Sequence, residues 1–132
     1  MTEVKHENVY KVDRVLLLES SFKREPIIEN NQVPKNHIHI ETQINPDNPN
    51  GKIVVNLFAT LTSMLNDRKI YEVKVVMTGV FEKDGTPALD EERFKKINAP
   101  AIIYPFIREH IASTCLKAGL GSVMVPTVNF TL

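Results

Sequence analysis

The sequence predicts an α+β domain in which a four-stranded antiparallel sheet carries one long C-terminal helix on one face. Four runs rich in β-branched and aromatic residues, separated by turn-forming residues, come first along the chain. A single long stretch with helical spacing of its apolar residues follows them. Because a lone amphipathic helix has to bury its apolar stripe, we expect the sheet to receive it.

The four predicted strands occupy the first two thirds of the chain. They cover residues 9–22, 37–44, 52–63 and 70–81. In the first strand, strict alternation lapses near Arg14, which predicts an irregularity such as a bulge. The second strand alternates cleanly, with isoleucines on one face and His37, His39 and Glu41 on the other. The third strand has a continuous apolar character, so we expect it to be more buried on both faces than its neighbour.

Two helices are predicted after the strands, a short one over 86–96 and the main one over about 103–118. The predicted inner face of the main helix follows the spacing of every third or fourth residue and comprises Ile103, Ile107, Ile111, Thr114, Cys115 and Ala118. Pro105 is compatible only with its first turn, where the missing N–H has no acceptor. Gly119 then ends the helix, since glycine adopts the left-handed cap conformation at little cost.

Length and composition exclude several classes of protein. The chain of 132 residues predicts a single domain over 1–132. Sixteen basic residues balance sixteen acidic ones, which argues against a nucleic-acid partner. No apolar run is long enough to span a membrane and the N-terminal stretch is polar, so we expect no membrane association and a cytoplasmic location. The single cysteine, Cys115, is expected as a small buried hydrophobe.

The sequence contains none of the common catalytic motifs, such as a glycine-rich phosphate loop or a CxxC pair. His37 and His39 share a strand face and could hold a metal ion, but no third ligand is identified, so two solvated imidazoles are the favoured interpretation. Arg108 and Glu109 are interpreted as solvent or interface charges. We therefore predict no catalytic residue, no metal and no cofactor, and rank an enzyme last.

Apolar side chains are in excess near the C-terminus, over residues 123–130. Some of them must complete the core. The remainder predicts a surface for self-association or a binding groove. Met77 and Met124 would suit such a surface if exposed, because thioether side chains adapt to many shapes.

A pattern of aromatic, proline and charged residues marks the last third of the chain. It consists of Tyr104-Pro-Phe-Ile-Arg-Glu-His-Ile-Ala-Ser, then Gly119, then Pro126-Thr-Val-Asn-Phe130. Phe22 at the end of the first strand and Gly79-Val-Phe81 at the end of the fourth accompany it. Together these features resemble the SecB family of protein-export chaperones, over nearly the whole chain.

The resemblance implies a SecB-like fold and a cytoplasmic, ATP-independent holdase. Such proteins bind unfolded or precursor polypeptides in apolar grooves and pass them to the translocase motor SecA. They assemble as dimers of dimers with the long helices between two sheets, so we expect a homo-oligomer, either a tetramer or a dimer.

The residues of the expected sites fall into two groups. For client binding, the crossover connection after the first strand and the tail offer apolar surface that the core does not use, namely Ile27, Ile28, Val128 and Phe130. For the oligomer interface, we expect a mixture of core and subunit contacts from Tyr104, Phe106, Ile107 and Ile111.

The chain departs from the family pattern at its partner-docking face and at its end. The family's motor-docking face is acidic, and the residues assigned to it here are Glu19, Lys23, Glu72 and Lys74. The two lysines replace attraction to a basic partner by repulsion. Family members also continue into a second long helix where this sequence stops, and carry an aromatic residue near Gln32, so we expect a different groove shape.

The predicted function is that of a holdase that keeps unfolded polypeptides competent for export. One alternative is a divergent SecB-like holdase, either general or dedicated to one client such as an antitoxin, that is not coupled to SecA. A structural oligomerisation module is the alternative from another class.

Overall fold

Four antiparallel strands form one sheet in the order β1-β4-β3-β2 in the computed structural model, which describes residues 8–28, 32–46 and 49–131. The strands are β1 (Val9–Arg24), β2 (Lys35–Ile44), β3 (Lys52–Leu65) and β4 (Arg68–Asp84). The central strands, β3 and β4, pair along the whole length of β3, and β1 and β2 lie at the two edges. The predicted α+β class, with a long C-terminal helix on the sheet, is confirmed. The middle of the crossover connection, residues 29–31, lies outside the described part of the chain.

Side chains alternate between two faces of the sheet. The inner face carries the fully buried Val55, Leu57, Val73 and Phe81 and receives the long helix. The outer face is the opposite one. On that face the side chains of β3 are half-buried, except that of Phe58, which is 36% exposed. The neighbouring strand β2 is exposed on its outer face and largely half-buried on its inner face, so the prediction that β3 is more buried than its neighbour on both faces is confirmed.

The edge strand β1 contains two irregularities. Its register against β4 shifts between Val12 and Arg14, as the lapse of alternation near Arg14 predicts, and shifts again between Leu17 and Glu19. Each shift places one extra residue in β1, which preserves the inward direction of the apolar side chains beyond it.

The turn between β3 and β4 explains why these strands are longer than the sequence predicts. Asn66 has a positive φ of 57°, a backbone conformation that asparagine tolerates in tight turns. With only Asn66 and Asp67 between the strands, pairing continues to Leu65 opposite Arg68. A two-residue connection therefore extends both strands to the turn itself.

The first helix begins later than predicted, and the main helix begins earlier. Asp90 caps the one-turn helix α1 (Glu91–Arg93), whose Arg93 N–H donates to Asp90 Oδ2 at 3.3 Å. A π-helical turn (Phe94–Asn98) leads directly into α2 (Ala99–Lys117). Of the predicted short helix over 86–96, only the second half, from Glu91 onward, is helical in the structure.

Pro105 lies inside α2 rather than in its first turn, so that prediction is wrong. The helix starts four residues before the predicted position, and Pro100 occupies the first turn instead. Pro105 and Ala101 are both exposed, so the carbonyl that loses its N–H donor lies on the solvent side of the helix. Water can satisfy it there.

The apolar stripe of α2 is confirmed as its buried face. Four of its six predicted members, Ile103, Ile107, Ile111 and Cys115, are fully buried, and the other two are half-buried. Gly79 of β4 permits the close approach, because a Cβ built there would lie 2.8 Å from Ile103 Cδ1. At the other end Gly119 has a φ of 76°, and the Leu120 N–H donates to the Cys115 carbonyl at 3.0 Å, which confirms the predicted helix stop. Within the described ranges, no helix is long and apolar enough to cross a membrane.

Candidate functional site

A cleft of about 630 Å³ opens between the crossover connection, the sheet and the start of the tail, residues 118–131. We call it the crossover cleft. Its apolar lining comes from three segments that are far apart in sequence and includes Ile27, Ile28, Val33, Tyr71, Leu120 and Met124. Three of these side chains are almost fully open to solvent: Ile27 is 81% exposed, Val33 is 91% exposed and Met124 is 86% exposed.

Arg24, the last residue of β1, ties the walls of the crossover cleft together. Its Nη1 donates to the Ala118 carbonyl at 2.5 Å and its Nε to the Glu25 carbonyl at 2.9 Å. The guanidinium therefore caps the C-terminus of α2, where the helix dipole favours a cation. The start of the tail and the start of the crossover connection are held to the same strand end.

The floor of the crossover cleft is Tyr71, whose ring is buried and packs against Phe22 with centroids 6.5 Å apart. Burial raises the pKa of its hydroxyl, which donates to Asn36 Oδ1 at 3.5 Å. A neutral phenol stays protonated over the physiological range. The floor therefore offers apolar surface with one hydrogen-bonding group.

A second cleft, of about 470 Å³, lies between the inner face of β2 and the end of the tail. We call it the tail cleft, and it is lined by Ile40, Thr42, Ile44, Lys96, Val128 and Phe130. The tail is held beside it by Tyr104, whose hydroxyl donates to the Pro126 carbonyl and whose ring packs edge-on against Phe130 at 5.9 Å. Val125 is buried and fixes the middle of the tail in the core.

The structure divides the predicted client-binding residues between the two clefts. Ile27 and Ile28 line the crossover cleft, whereas Val128 and Phe130 line the tail cleft and are partly buried. Of the two methionines that would suit a binding surface if exposed, Met124 is exposed and Met77 is buried. Sequence reasoning missed Val33, although a lone apolar residue beside Pro34 in a polar connection is a signal that could have indicated it.

The four residues predicted for the oligomer interface lie in two environments. Tyr104, Ile107 and Ile111 are enclosed within the single chain, while Phe106 is 50% exposed. A further exposed apolar strip, which the sequence analysis did not single out, runs along β1 and comprises Val12, Leu16, Leu17 and Leu18.

The four residues assigned to motor docking are brought together on the outer face. The β1–β4 register places Lys23 opposite Glu72, and Glu19 lies further along the same face. Glu72 Oε2 lies 2.9 Å from Lys69 Nζ, and its Oε1 lies 3.6 Å from Lys74 Nζ. The hydrogen bond from Lys69 is the main cause that lowers the pKa of Glu72. Glu72 therefore remains charged and offsets part of the positive charge of Lys69 and Lys74.

The polar groups of the described residues show no arrangement for catalysis. His39 contacts only Glu41, at 3.0 Å, and no group of three metal-ligating side chains occurs in the described ranges. Ser20 Oγ lies 2.8 Å from His110 Nε2, but in the described part of the chain no carboxylate contacts the imidazole to orient it. Burial raises the pKa of the Cys115 thiol, which makes it a poor nucleophile.

The sequence of this chain is similar to those of known proteins. A family model described as preprotein translocase subunit SecB matches residues 3–132. The protein-export protein SecB of Halorhodospira halophila is 34% identical over 97 residues, which are 74% of this chain and 56% of that protein. The protein-export protein SecB of Aromatoleum aromaticum is 28% identical over 133 residues, which cover 94% of this chain and 84% of that protein. The chain spans only 56% of the length of the Halorhodospira halophila protein, and 61% and 59% of the protein-export proteins SecB of two Orientia tsutsugamushi strains.

A solved structure shares the fold. It is the SecB-like chaperone of Mycobacterium tuberculosis in complex with a peptide from the HigA1 antitoxin, which superposes with a TM-score of 0.76 over 93% of both chains at 12% sequence identity. At that identity the likeness concerns the fold alone. Since the family model covers nearly every residue and the sheet, helix and tail are those the family resemblance implies, this chain belongs to the SecB family.

Proposed function

We propose that this chain is an ATP-independent chaperone that holds unfolded polypeptides in its two apolar clefts. The observation that carries the proposal is the exposure of Ile27, Val33 and Met124 around the crossover cleft. Large apolar side chains that converge on one concave surface are the usual sign of a binding site. Membership of the SecB family and the absence of a catalytic motif in the sequence support the same function, without enzymatic activity and in the cytoplasm.

Binding would depend on side-chain burial rather than on sequence. Covering three large aliphatic side chains gains roughly 5–9 kcal/mol, at about 1.5–3 kcal/mol each. Ordering an unfolded client cancels roughly 2–5 kcal/mol or more of that gain. We therefore expect weak, broad binding, which Met124 favours because its flexible thioether fits many client side chains.

The test is suppression of aggregation. A reduced, denatured client is diluted into buffer with stoichiometric protein, and light scattering is followed with time. We expect the wild-type chain to suppress scattering and the double variant Ile27→Ser/Val33→Ser to lose most of this effect. Leu116→Ser is the matched control, because Leu116 is 63% exposed on α2 and lines neither cleft. Unchanged scattering with the wild-type chain would reject the chaperone proposal.

We further propose that the chain assembles with copies of itself through β1 and the adjacent side of α2. An edge strand with exposed apolar side chains is a surface that soluble proteins usually cover. β1 presents Leu16, Leu17 and Leu18 in this way, and Phe106 extends the apolar surface onto the helix. The family resemblance favours a dimer of dimers. Sedimentation of Leu17→Lys as a species as large as the wild type would contradict this interface.

Delivery to the motor SecA is the further step implied by the family. Lys23 and Lys74 stand on the outer face, where the family pattern would place carboxylates. This observation favours a holdase that is not coupled to SecA, either general or dedicated to one client. The antitoxin peptide held by the similar Mycobacterium tuberculosis protein supports the client-dedicated form. A pull-down with the C-terminal tail of SecA at low salt separates the alternatives, and retention of the tail would favour export.

A further inference from the structure

The outer face of the sheet carries its charges unevenly. Its half nearest the β3–β4 turn bears a basic patch, which comprises Lys23, Lys35, Lys69, Lys74, His37 and His39. The strand registers place all six on one face. Lys23, Glu72 and His37 lie in one line across the strands, and Lys69 and Lys35 lie in the next line. All six side chains are exposed.

One carboxylate lies within this patch. Glu72 contacts Lys69 and Lys74, and also accepts a hydrogen bond from Thr62 Oγ1 at 3.4 Å. Within the described ranges Lys23 and Lys35 have no ion-pair partner. At the edge of the patch Glu41 contacts His39 at 3.0 Å, so four lysines face two carboxylates and an excess of two positive charges remains when the histidines are not counted. The patch is therefore locally basic although the whole chain has no net charge.

The other half of the outer face is electrically balanced. Lys52 Nζ lies 2.9 Å from Asp13 and 3.4 Å from Glu82, and Lys11 lies 3.1 Å from Asp84. Paired charges of this kind offer little attraction to a ligand. The positive potential of the outer face is thus confined to the basic patch.

Two further features border the basic patch. A depression of about 390 Å³ opens at the end of β1, and Lys23, Lys69 and Glu72 are among its lining residues. On the side toward the balanced half, Phe58 and Val76 pair across β3 and β4 and leave apolar surface on the same face, between Glu19 of β1 and Glu41 of β2. A ligand that covers the patch would therefore meet cations and apolar side chains together.

We propose that the basic patch docks an acidic segment of a partner polypeptide, whose neighbouring apolar side chains pack on Phe58 and Val76. Charge complementarity selects the acidic residues of the partner. The apolar border favours a polypeptide over a nucleic acid. The four strands span only about 14 Å at roughly 4.8 Å per strand, which is too short for an extended phosphate track. The docking surface lies on the face opposite the two clefts, and the depression at the end of β1 shares Arg24, Pro26, Ile70 and Tyr71 with the lining of the crossover cleft.

The test uses fluorescence anisotropy with the full chain and three labelled probes. These are a short peptide of glutamate and leucine, the same peptide with lysine at each glutamate, and a single-stranded oligonucleotide. We expect the glutamate peptide alone to bind, with affinity that falls as salt is raised. Equal binding of the lysine peptide, or tighter binding of the oligonucleotide, would overturn the proposal.

Two double variants localise the binding. Lys23→Glu/Lys74→Glu should weaken binding of the glutamate peptide by about tenfold or more. Arg93→Glu/Lys117→Glu makes the same change in net charge on exposed residues outside the patch, and should bind as the wild type does. Suppression of client aggregation should stay at the wild-type level in both. Equal peptide binding by the two variants, or joint loss of peptide binding and client holding, would overturn the assignment to this face.

Discussion

Ile107 and Phe106 are neighbours on α2, and their substitution separates the stability of the fold from that of the assembly. Ile107 is fully buried in the core, whereas Phe106 is 50% exposed. Ile107→Ala removes three carbons, worth about 0.8 kcal/mol each, and leaves a cavity in addition. We therefore expect a loss of about 3 kcal/mol, within the roughly 2–5 kcal/mol typical of such truncations. That is a large part of the roughly 5–15 kcal/mol that stabilises a typical domain.

Phe106→Ala should act differently, because half of its surface is open in the single chain. We expect a loss of about 1 kcal/mol or less in the free energy of unfolding of the isolated chain. If the ring contacts a second copy, the midpoint of unfolding should also lose much of its dependence on protein concentration.

Urea denaturation followed by circular dichroism, at several protein concentrations, measures both effects. The two alanine variants serve as controls for each other, since both sit on one helix and shorten a large apolar side chain. A smaller shift of the midpoint for Ile107→Ala than for Phe106→Ala would refute the reasoning about the core. An unchanged concentration dependence in Phe106→Ala would refute the reasoning about assembly.

Three further predictions concern the sheet, its charges and the tail. Gly79→Ala should cost about 1–3 kcal/mol, because the new Cβ would lie 2.7 Å from the Phe81 ring, and an unchanged melting temperature would contradict this. Because Lys69 lowers the pKa of Glu72, the stabilisation is present above the usual carboxyl value and is lost as pH falls through the lowered one. The wild type should therefore lose stability on acidification more steeply than Glu72→Gln, and parallel urea midpoints against pH would speak against it. Tyr104→Phe should loosen the tail by about 0.5–1.5 kcal/mol, detectable as faster hydrogen exchange over residues 123–130. Unaltered exchange would be inconsistent with the anchoring role of that hydroxyl.

The faces of the strands and of the main helix could be predicted because their signals are local. Alternation in β4 assigns Val73, Val75 and Met77 to the buried face, and the structure confirms this. The four-residue spacing of Ile103 and Ile107 likewise identifies the buried stripe of α2. Such patterns express the geometry of the backbone and require no knowledge of the partner surface.

The helix start and the clefts could not be predicted, because distant segments determine them. Phe94 opens the π-helical turn because its ring stacks on Tyr10 at 4.0 Å and meets Phe81 edge-on at 5.2 Å, contacts that span much of the sequence. The placement of Tyr104 in the core depends in the same way on the return of the tail to Pro126. Local spacing contains neither fact, so the sequence could indicate an apolar surplus near the C-terminus but not the two clefts it would form.

The attachment of the tail has a consequence for the range of shapes the protein can accommodate. Within the described part of the chain, residues 121–131 make no hydrogen bond between backbone groups. That segment borders both clefts. The side chains of Val125 and Tyr104 hold it in place, and among the described residues it forms no backbone hydrogen bonds with a strand. Its position can therefore adjust through rotamer changes while every strand pair stays intact. Wide and narrow occupants of the clefts would then meet the same sheet and a tail that can shift, so the proposed chaperone could hold clients of different shapes while its sheet stays paired.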